Sequence, residues 1–366
     1  MDEKTIKIRL KSIKAAMRQT KIDALVVTVP QNVTYLTGFS GHDSWVVVIG
    51  PKITFLTDSR YTEQAQKQCF GCRIIERKEE MAKAVGKLTA RTKSVKIVGV
   101  EERALLGDFG RLKNQIKAKV KSVAGIVETV RRTKDPSEVR AIRTAAKVAW
   151  KALDRALKKL RAGMSESEFA GLLEYEMRKL NSQPSFETIA AFGANGSLPH
   201  YQPGKRKLRK NDTILIDFGA KYKSYCSDIT RCFAVGEIKG FYEKVYYAVT
   251  EAQRAAIKTV RDGIKVSQVD SAAREVLAKY DLPVYGHGTG HGLGLEVHET
   301  PTVTKDIKGV LITGDVVTIE PGVYIPGKLG IRIEDDILVT KAGCKILSDL
   351  KGFKCSPKNL PVLKSR

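Results

Sequence analysis

The chain has 366 residues, 42% of them hydrophobic and 28% charged, with a net charge of +24. The length predicts two domains with sizeable cores. It excludes a membrane-spanning chain, because the longest apolar runs, such as residues 45–49, fall far short of the ~20 residues a bilayer requires.

The start, Met1-Asp2-Glu3-Lys4, lacks the apolar core of a secretory signal, and a cytoplasmic location is expected. Ile8, Leu10, Ile13 and Met17 recur at helical spacing and predict a helix over residues 5–20. Residues 24–29 read as a buried strand, and residues 44–49 and 53–56 as a strand pair turned at Gly50-Pro51. With a further strand at 95–100, the first part alternates helix and strand, the pattern of a layered α/β domain. The texture changes near residue 133. Asp135-Pro136 with Glu138 is a helix-opening signal, and the helix is predicted to run to about residue 160. A second helix, over residues 165–180, is capped by Ser165 with Glu168. Beyond Pro184, glycines and β-branched runs dominate, interrupted by helices near 242–260 and 266–280. No internal repeat emerges from composition.

The six cysteines are Cys69, Cys72, Cys226, Cys232, Cys344 and Cys355, too sparse for a disulfide framework. Cys69 and Cys72 form a C-x-x-C, but no second pair completes a four-ligand zinc site. Lysines and arginines are spread along the chain without a long block or an interleaved aromatic ladder. The charge therefore reads as a solvated surface rather than a nucleic-acid interface.

Three of the five histidines, His287, His291 and His298, fall within twelve residues, with glycines beside the first two that leave room for a ligand or metal. The glycine order does not meet a dinucleotide fingerprint, and Thr302 stands where His298-Glu299 would need a second histidine to form a zincin motif. Two apolar strands stop on carboxylates, at Asp217 and at Glu320. Asp228 follows eleven residues after Asp217, and Glu334 opens Glu334-Asp335-Asp336. A carboxylate on a buried strand is unfavourable unless paired or bound to a cation. Four of them near histidines point to a cation site.

Together these segments resemble the pita-bread metallopeptidases: methionine aminopeptidase, aminopeptidase P and prolidase. Asn32-Val-Thr-Tyr-Leu-Thr-Gly-Phe-Ser40 and Thr57-Asp-Ser-Arg-Tyr61 resemble the creatinase-like domain that only the last two carry. The resemblance implies an α/β (α+β) chain, with a creatinase-like α/β domain over residues 1–132 and a pita-bread catalytic domain over 133–366. It assigns two metal ions to Asp217, Asp228, His291, Glu320 and Glu334. It gives catalytic roles to His200, within Pro199-His200-Tyr201, and to His287, His298, Glu320 and Arg332. Glu320 would double as proton shuttle, His287 and His298 would hold the carbonyl or oxyanion, and His200 would touch the proline side. Four carboxylates and one imidazole suit two divalent ions such as Mn²⁺, with Co²⁺ or Zn²⁺ as alternatives, and such a pair can hold a bridging hydroxide as nucleophile.

The implied reaction is hydrolysis of the Xaa-Pro bond at the N-terminus of proline-containing peptides. Prolidases place an arginine about four residues after the His298 equivalent to hold a dipeptide's carboxylate. Thr302 stands there, which favours aminopeptidase P-like activity over the dipeptidase alternative. In relatives, a loop of one subunit's first domain covers the other subunit's site. Gly38-Phe-Ser-Gly-His42-Asp-Ser-Trp45 looks like that loop, and a homodimer is expected. The competing class is a pita-bread protein that binds nucleic acid through its basic surface. The intact ligand set argues against it.

Overall fold

The N-terminal periodicity forms helix α1 (Glu3–Gln19), but the buried stripe is Ile6, Arg9, Ile13 and Met17. Ile8, expected inside, is 60% exposed. Arg9 takes the inward position because its guanidinium donates to Tyr35 O at 2.7 Å and lies 3.9 Å over the Tyr35 ring. The computed structural model describes residues 3–236, 240–349 and 362–363. The chain divides into two units, Met1–Arg131 and Arg132–Arg366. No helix among the described residues is long and apolar enough to cross a membrane.

The first unit continues through β1 (Ala24–Val27), α2 (Pro30–Thr37), β2 (Trp45–Ile49), β3 (Lys52–Thr57), α3 (Thr62–Gln68), β4 (Arg73–Glu76), α4 (Met81–Ala90), β5 (Ile97–Glu101), α5 (Leu106–Gln115), β6 (Lys119–Val123) and α6 (Ile126–Arg132). Its strands form one mixed sheet in the order β4-β3-β2-β1-β5-β6. The β2–β3 hairpin turns at Gly50, in the left-handed region at φ 56°, as the Gly-Pro signal predicted. The apolar run expected to end at residue 29 stops at Val27, and Pro30 opens α2.

The cap of α2 comes from far along the chain. Glu101, 5% exposed, accepts the N–H groups of Thr28 and Val29 at 2.7 and 2.9 Å and Asn32 Nδ2 at 2.6 Å, which fixes the chain as it enters the helix and places a carboxyl at its N-terminus. Burial nevertheless pushes its carboxyl from 4.5 up to about 7, against the hydrogen bonds that lower it. A raised acid holds its proton longer in the folded state, so stability falls as pH rises between those values and is level above them. Amide protection of α2, corrected for intrinsic exchange, is expected to drop across this window by up to about 3 kcal/mol. In Glu101→Gln the drop should vanish.

The second unit is built of two similar halves. The first has α7 (Pro136–Leu157), α8 (Glu166–Arg178), β7 (Gln183–Pro184), β8 (Ile189–Phe192), a 3₁₀ turn (Gly193–Ser197), β9 (Thr213–Phe218), β10 (Ala220–Tyr222), β11 (Tyr225–Cys226) and β12 (Ile229–Val235). The second has α9 (Phe241–Thr259), α10 (Val266–Lys279), β13 (Gly290–Gly292), β14 (Glu299–Val303), β15 (Val316–Ile319), β16 (Gly322–Ile325), β17 (Leu329–Arg332), β18 (Asp335–Thr340) and β19 (Gly343–Ile346), and β20 (Val362–Leu363) then returns to pair with β12. Both predicted capping boxes form, Asp135 with Glu138 and Ser165 with Glu168. Gly163 and Gly263 turn between the helix pairs at φ 84° and 76°, and Asn181 and Asp281 end them at φ 55° each. Their N–H groups repeat too, Gly163 donating to Leu208 O and Gly263 to Leu311 O. The strand motifs match: Asp212-Thr-Ile-Leu-Ile-Asp217-Phe-Gly219 against Asp315-Val-Val-Thr-Ile-Glu320-Pro-Gly322. The chain therefore holds an internal duplication that composition did not reveal. Trp150, Phe169 and Phe233 pack the first half, and Tyr246, Val269 and Ile337 the second.

Candidate metal centre

The duplication brings the carboxylates together. In the first half β9 and β12 pair antiparallel with Asp217 opposite Thr230, and Asp228 immediately precedes β12. In the second, β15 and β18 pair with Ile319 opposite Asp335, so Glu320 and Glu334 leave the ends of adjacent strands side by side. His291 lies in the middle of β13, whose Gly292 is opposite Val317 of β15. Ligand atoms of Asp228, His291 and Glu334 all lie within 4.8 Å of one another. His291 Nε2 is 3.4 Å from Glu320 Oε1 and 3.7 Å from Asp228 Oδ2.

The chemistry of this donor set suits a divalent cation. His291 Nδ1 is 3.0 Å from Gly292 O. The carbonyl accepts, so the proton sits on Nδ1 and the Nε2 lone pair faces the carboxylates. Burial holds this imidazole below its usual pKa, in the neutral form a metal requires. Asp217 Oδ1 is buried with no hydrogen-bond partner among the described residues. Burial, then mutual repulsion, pushes the carboxyls of Asp228 and Glu334 well above the usual range, and burial likewise raises Glu320. Bound cations would remove that repulsion.

A layer of donors, largely missed in the sequence, orients these carboxylates. Thr230 Oγ1 donates to Glu334 Oε2 at 2.6 Å and Thr318 Oγ1 to Glu320 Oε1 at 3.2 Å. Arg332, 3% exposed, pairs with Asp217 Oδ2 at 2.5 Å and donates to Thr230 Oγ1, Tyr324 OH and Pro199 O at 3.1, 2.8 and 3.2 Å. Behind the cluster Asp336 accepts the Asp228 N–H, while Asp335 pairs with Arg231 at 2.7 Å. Apart from Thr318–Glu320, two residues apart, and Arg332–Tyr324, across the β16–β17 hairpin, these pairings span more than a hundred residues, and only Arg332 and the three consecutive acids at 334–336 signalled them.

The histidines separate by environment. His287 Nδ1 donates to Gly288 O at 2.7 Å and Nε2 lies 3.1 Å from Tyr324 OH, so both ring nitrogens have protein partners. Its segment is fastened by α10: Arg274 donates to Tyr285 O and His287 O at 2.8 Å each, and pairs with the buried Asp270. His298 is exposed, and its ring meets that of His291 edge-on at 4.4 Å. His200 is also exposed. The glycines at 290 and 292 serve packing rather than a ligand. A Cβ at Gly290 would lie 1.9 Å from Thr318 O and one at Gly292 2.3 Å from Thr300 O, so neighbouring strands fill the expected space. Glu299, the second half of the zincin-like pair, forms a buried ion pair with Lys134 at 3.0 Å.

Residues 140–341 match metallopeptidase family M24. The chain belongs to that family. Residues 9–133 match the Creatinase/Prolidase N-terminal domain. An Xaa-Pro dipeptidase of Pyrococcus horikoshii is 34% identical over 93% of this chain and 96% of its own length. Among solved structures, an Xaa-Pro dipeptidase from Bacillus anthracis superposes with a TM-score of 0.92 at 34% identity, covering 98% of this chain and 100% of its own. An X-Pro aminopeptidase from Thermotoga maritima gives 0.87 at 33% identity, covering 96% and 99%. The architecture is that of the creatinase-like and pita-bread pair of domains.

In this M24 peptidase one further buried carboxylate fixes the segment that carries His200. Glu166, at the start of α8 and fully buried, accepts Phe192 N–H at 2.8 Å, Asn195 Nδ2 at 2.9 Å, Tyr201 OH at 2.7 Å and Gly204 N–H at 3.2 Å. It thereby ties down the backbone on both sides of His200. Burial, then the bond to Glu166, raises the Tyr201 hydroxyl to about 12, so it remains a donor at neutral pH. Glu166→Gln leaves some of these donors without an acceptor. It is expected to cost about 1–3 kcal/mol of stability and to raise KM for peptides more than it lowers kcat, as steady-state kinetics would read.

Proposed function

We propose that this M24 metallopeptidase removes the N-terminal residue from peptides with proline in second position. It would use two divalent ions, Mn²⁺ or else Co²⁺ or Zn²⁺, held by Asp217, Asp228, His291, Glu320 and Glu334. The observation that carries this reading is the convergence of buried carboxylate oxygens on a neutral imidazole, with Asp217 Oδ1 unpartnered among the described residues. Bound there, the ions supply a water of lowered pKa and Lewis acidity toward the scissile carbonyl. Glu320 takes the water's proton and passes it toward the leaving proline nitrogen. His298 donates to the developing oxyanion, a role less open to His287 while Tyr324 holds its Nε2. Arg332 acts through Asp217, Tyr324 and Pro199, and His200 lies toward the proline ring. The homodimer implied by the 38–45 segment belongs to the same proposal.

The similar proteins carry both aminopeptidase and dipeptidase names, so the choice rests on Thr302, half-buried in β14. Without an arginine there, a dipeptide's carboxylate loses its bidentate partner. The Mn²⁺-loaded enzyme is expected to cleave an Xaa-Pro-Yaa tripeptide in preference to an Xaa-Pro dipeptide. Thr302→Arg should raise kcat/KM for the dipeptide by about 10-fold. Cleavage of the dipeptide alone by the wild type would reverse the assignment.

A further inference from the structure

The C-x-x-C of the first unit has no part in the metal centre. Cys69 closes α3, its N–H donating to Ala65 O at 2.8 Å, and Gly71, left-handed at φ 63°, turns the chain before β4. A left-handed glycine in a tight turn lets residues three apart face each other, at the roughly 4–7 Å between Cα atoms that a disulfide spans. The two thiols are hydrogen-bonded to each other, and Cys69 also meets the Thr37 side chain. Both are half-buried, within reach of a small reagent, whereas Cys226 and Cys232 are buried. The shared hydrogen bond holds the Cys72 thiol down and, with burial, the Cys69 thiol up. That is the division between an attacking and a resolving sulfur. The pair also stands at the base of the 38–45 segment. Phe70 N–H donates to Thr37 O at 3.0 Å, and Gln68 Oε1 accepts from Ser40 N–H and Oγ at 3.0 and 3.1 Å.

We infer that Cys69 and Cys72 form a reversible dithiol–disulfide modification site that reacts with small disulfides of the glutathione class. The Cys72 thiolate attacks one sulfur of the oxidant, forming a mixed disulfide and releasing the first small thiol. Cys69 then attacks Cys72 Sγ, closing the protein disulfide and releasing the second. Two electrons and two protons pass from the protein dithiol to the oxidant, which leaves as two thiols.

The test uses the full-length protein in buffers of varied reduced and oxidised glutathione, quenched by alkylation and read by peptide mass. The peptide spanning residues 69–72 is expected to lose two hydrogens as the buffer becomes oxidising and to recover them with dithiothreitol. Cys69→Ser should trap glutathione on Cys72 at least about tenfold faster than Cys72→Ser traps it on Cys69. A wild type that stays reduced, or that accumulates a stable mixed disulfide, would overturn the inference. So would equal rates in the two variants, or a disulfide from either residue to another cysteine.

Discussion

Asp228→Ala is expected to abolish peptide hydrolysis while making the metal-free protein more stable. In the wild type, burial and the neighbouring Glu334, Asp217 and Glu320 push the Asp228 carboxyl well above its usual range, so these carboxylates repel one another unless a cation neutralises them. Removing one of its four carboxylates relieves that repulsion. The metal-free variant should melt higher than metal-free wild type by about 2–4 °C, equivalent to about 1 kcal/mol in a unit of this size. Metal reverses the order, because an ion that binds only the folded state stabilises it, by about 4 kcal/mol at a thousandfold excess over Kd. The variant has lost a carboxylate that approaches both His291 and Glu334, so on the proposed assignment it should gain little from Mn²⁺. Its kcat/KM should fall by about 10³ or more, the several kcal/mol that metal activation contributes. Scanning calorimetry with and without Mn²⁺, beside a tripeptide assay, reads both signs.

Arg332→Met should act in the opposite sense on the metal-free protein. Arg332 is buried against Asp217 and also holds Thr230, Tyr324 and Pro199. Removing one partner of a buried ion pair leaves the other charge uncompensated, a loss of about 3–5 kcal/mol. The melting temperature should drop by about 10 °C. Because a bound cation would take over the neutralisation of Asp217, Mn²⁺ should restore most of that stability. It should restore little activity, since Tyr324, and through it His287, would still lack its anchor. The expected residual kcat/KM is about 10⁻² of wild type. Arg332→Lys keeps the charge but not the planar fork, and should fall between the two. Equal melting of Arg332→Met and wild type without metal would show the ion pair to be energetically neutral.

Much of this arrangement could be read in the chain because it depends on local signals. The Asp135–Glu138 and Ser165–Glu168 boxes lie three residues apart and announce their helices. Asp217 and Glu320 announced themselves as carboxylates ending apolar strands. Helix α2 escaped notice because Val33, Thr34 and Thr37 are β-branched, which favours strand. Its true markers were Pro30 at the first turn and Gly38 at the C-cap, φ 86°. The duplication was also legible, in the recurrence of Asp-x-x-x-Ile-Asp/Glu-x-Gly at 212–219 and 315–322, but composition averages such a pattern away. Of the orienting layer only Arg332 and the acids at 334–336 were marked in the sequence, and long-range partners elsewhere were not. Thr230 reaches Glu334 across 104 residues and Glu101 reaches Asn32 across 69. A threonine or a buried glutamate carries no mark of its partner until the strands are in register.

The proposed chemistry needs two cooperating ions at the convergence of the two halves. The most direct measurement strips the protein of metal, titrates Mn²⁺ back, and follows ions bound per chain together with hydrolysis of an Xaa-Pro-Yaa tripeptide. Activity is predicted to reach its plateau only as the second ion per chain binds. Full activity with one ion, or hydrolysis undiminished in the stripped protein, would contradict the assignment of Asp217, Asp228, His291, Glu320 and Glu334 as a two-ion site.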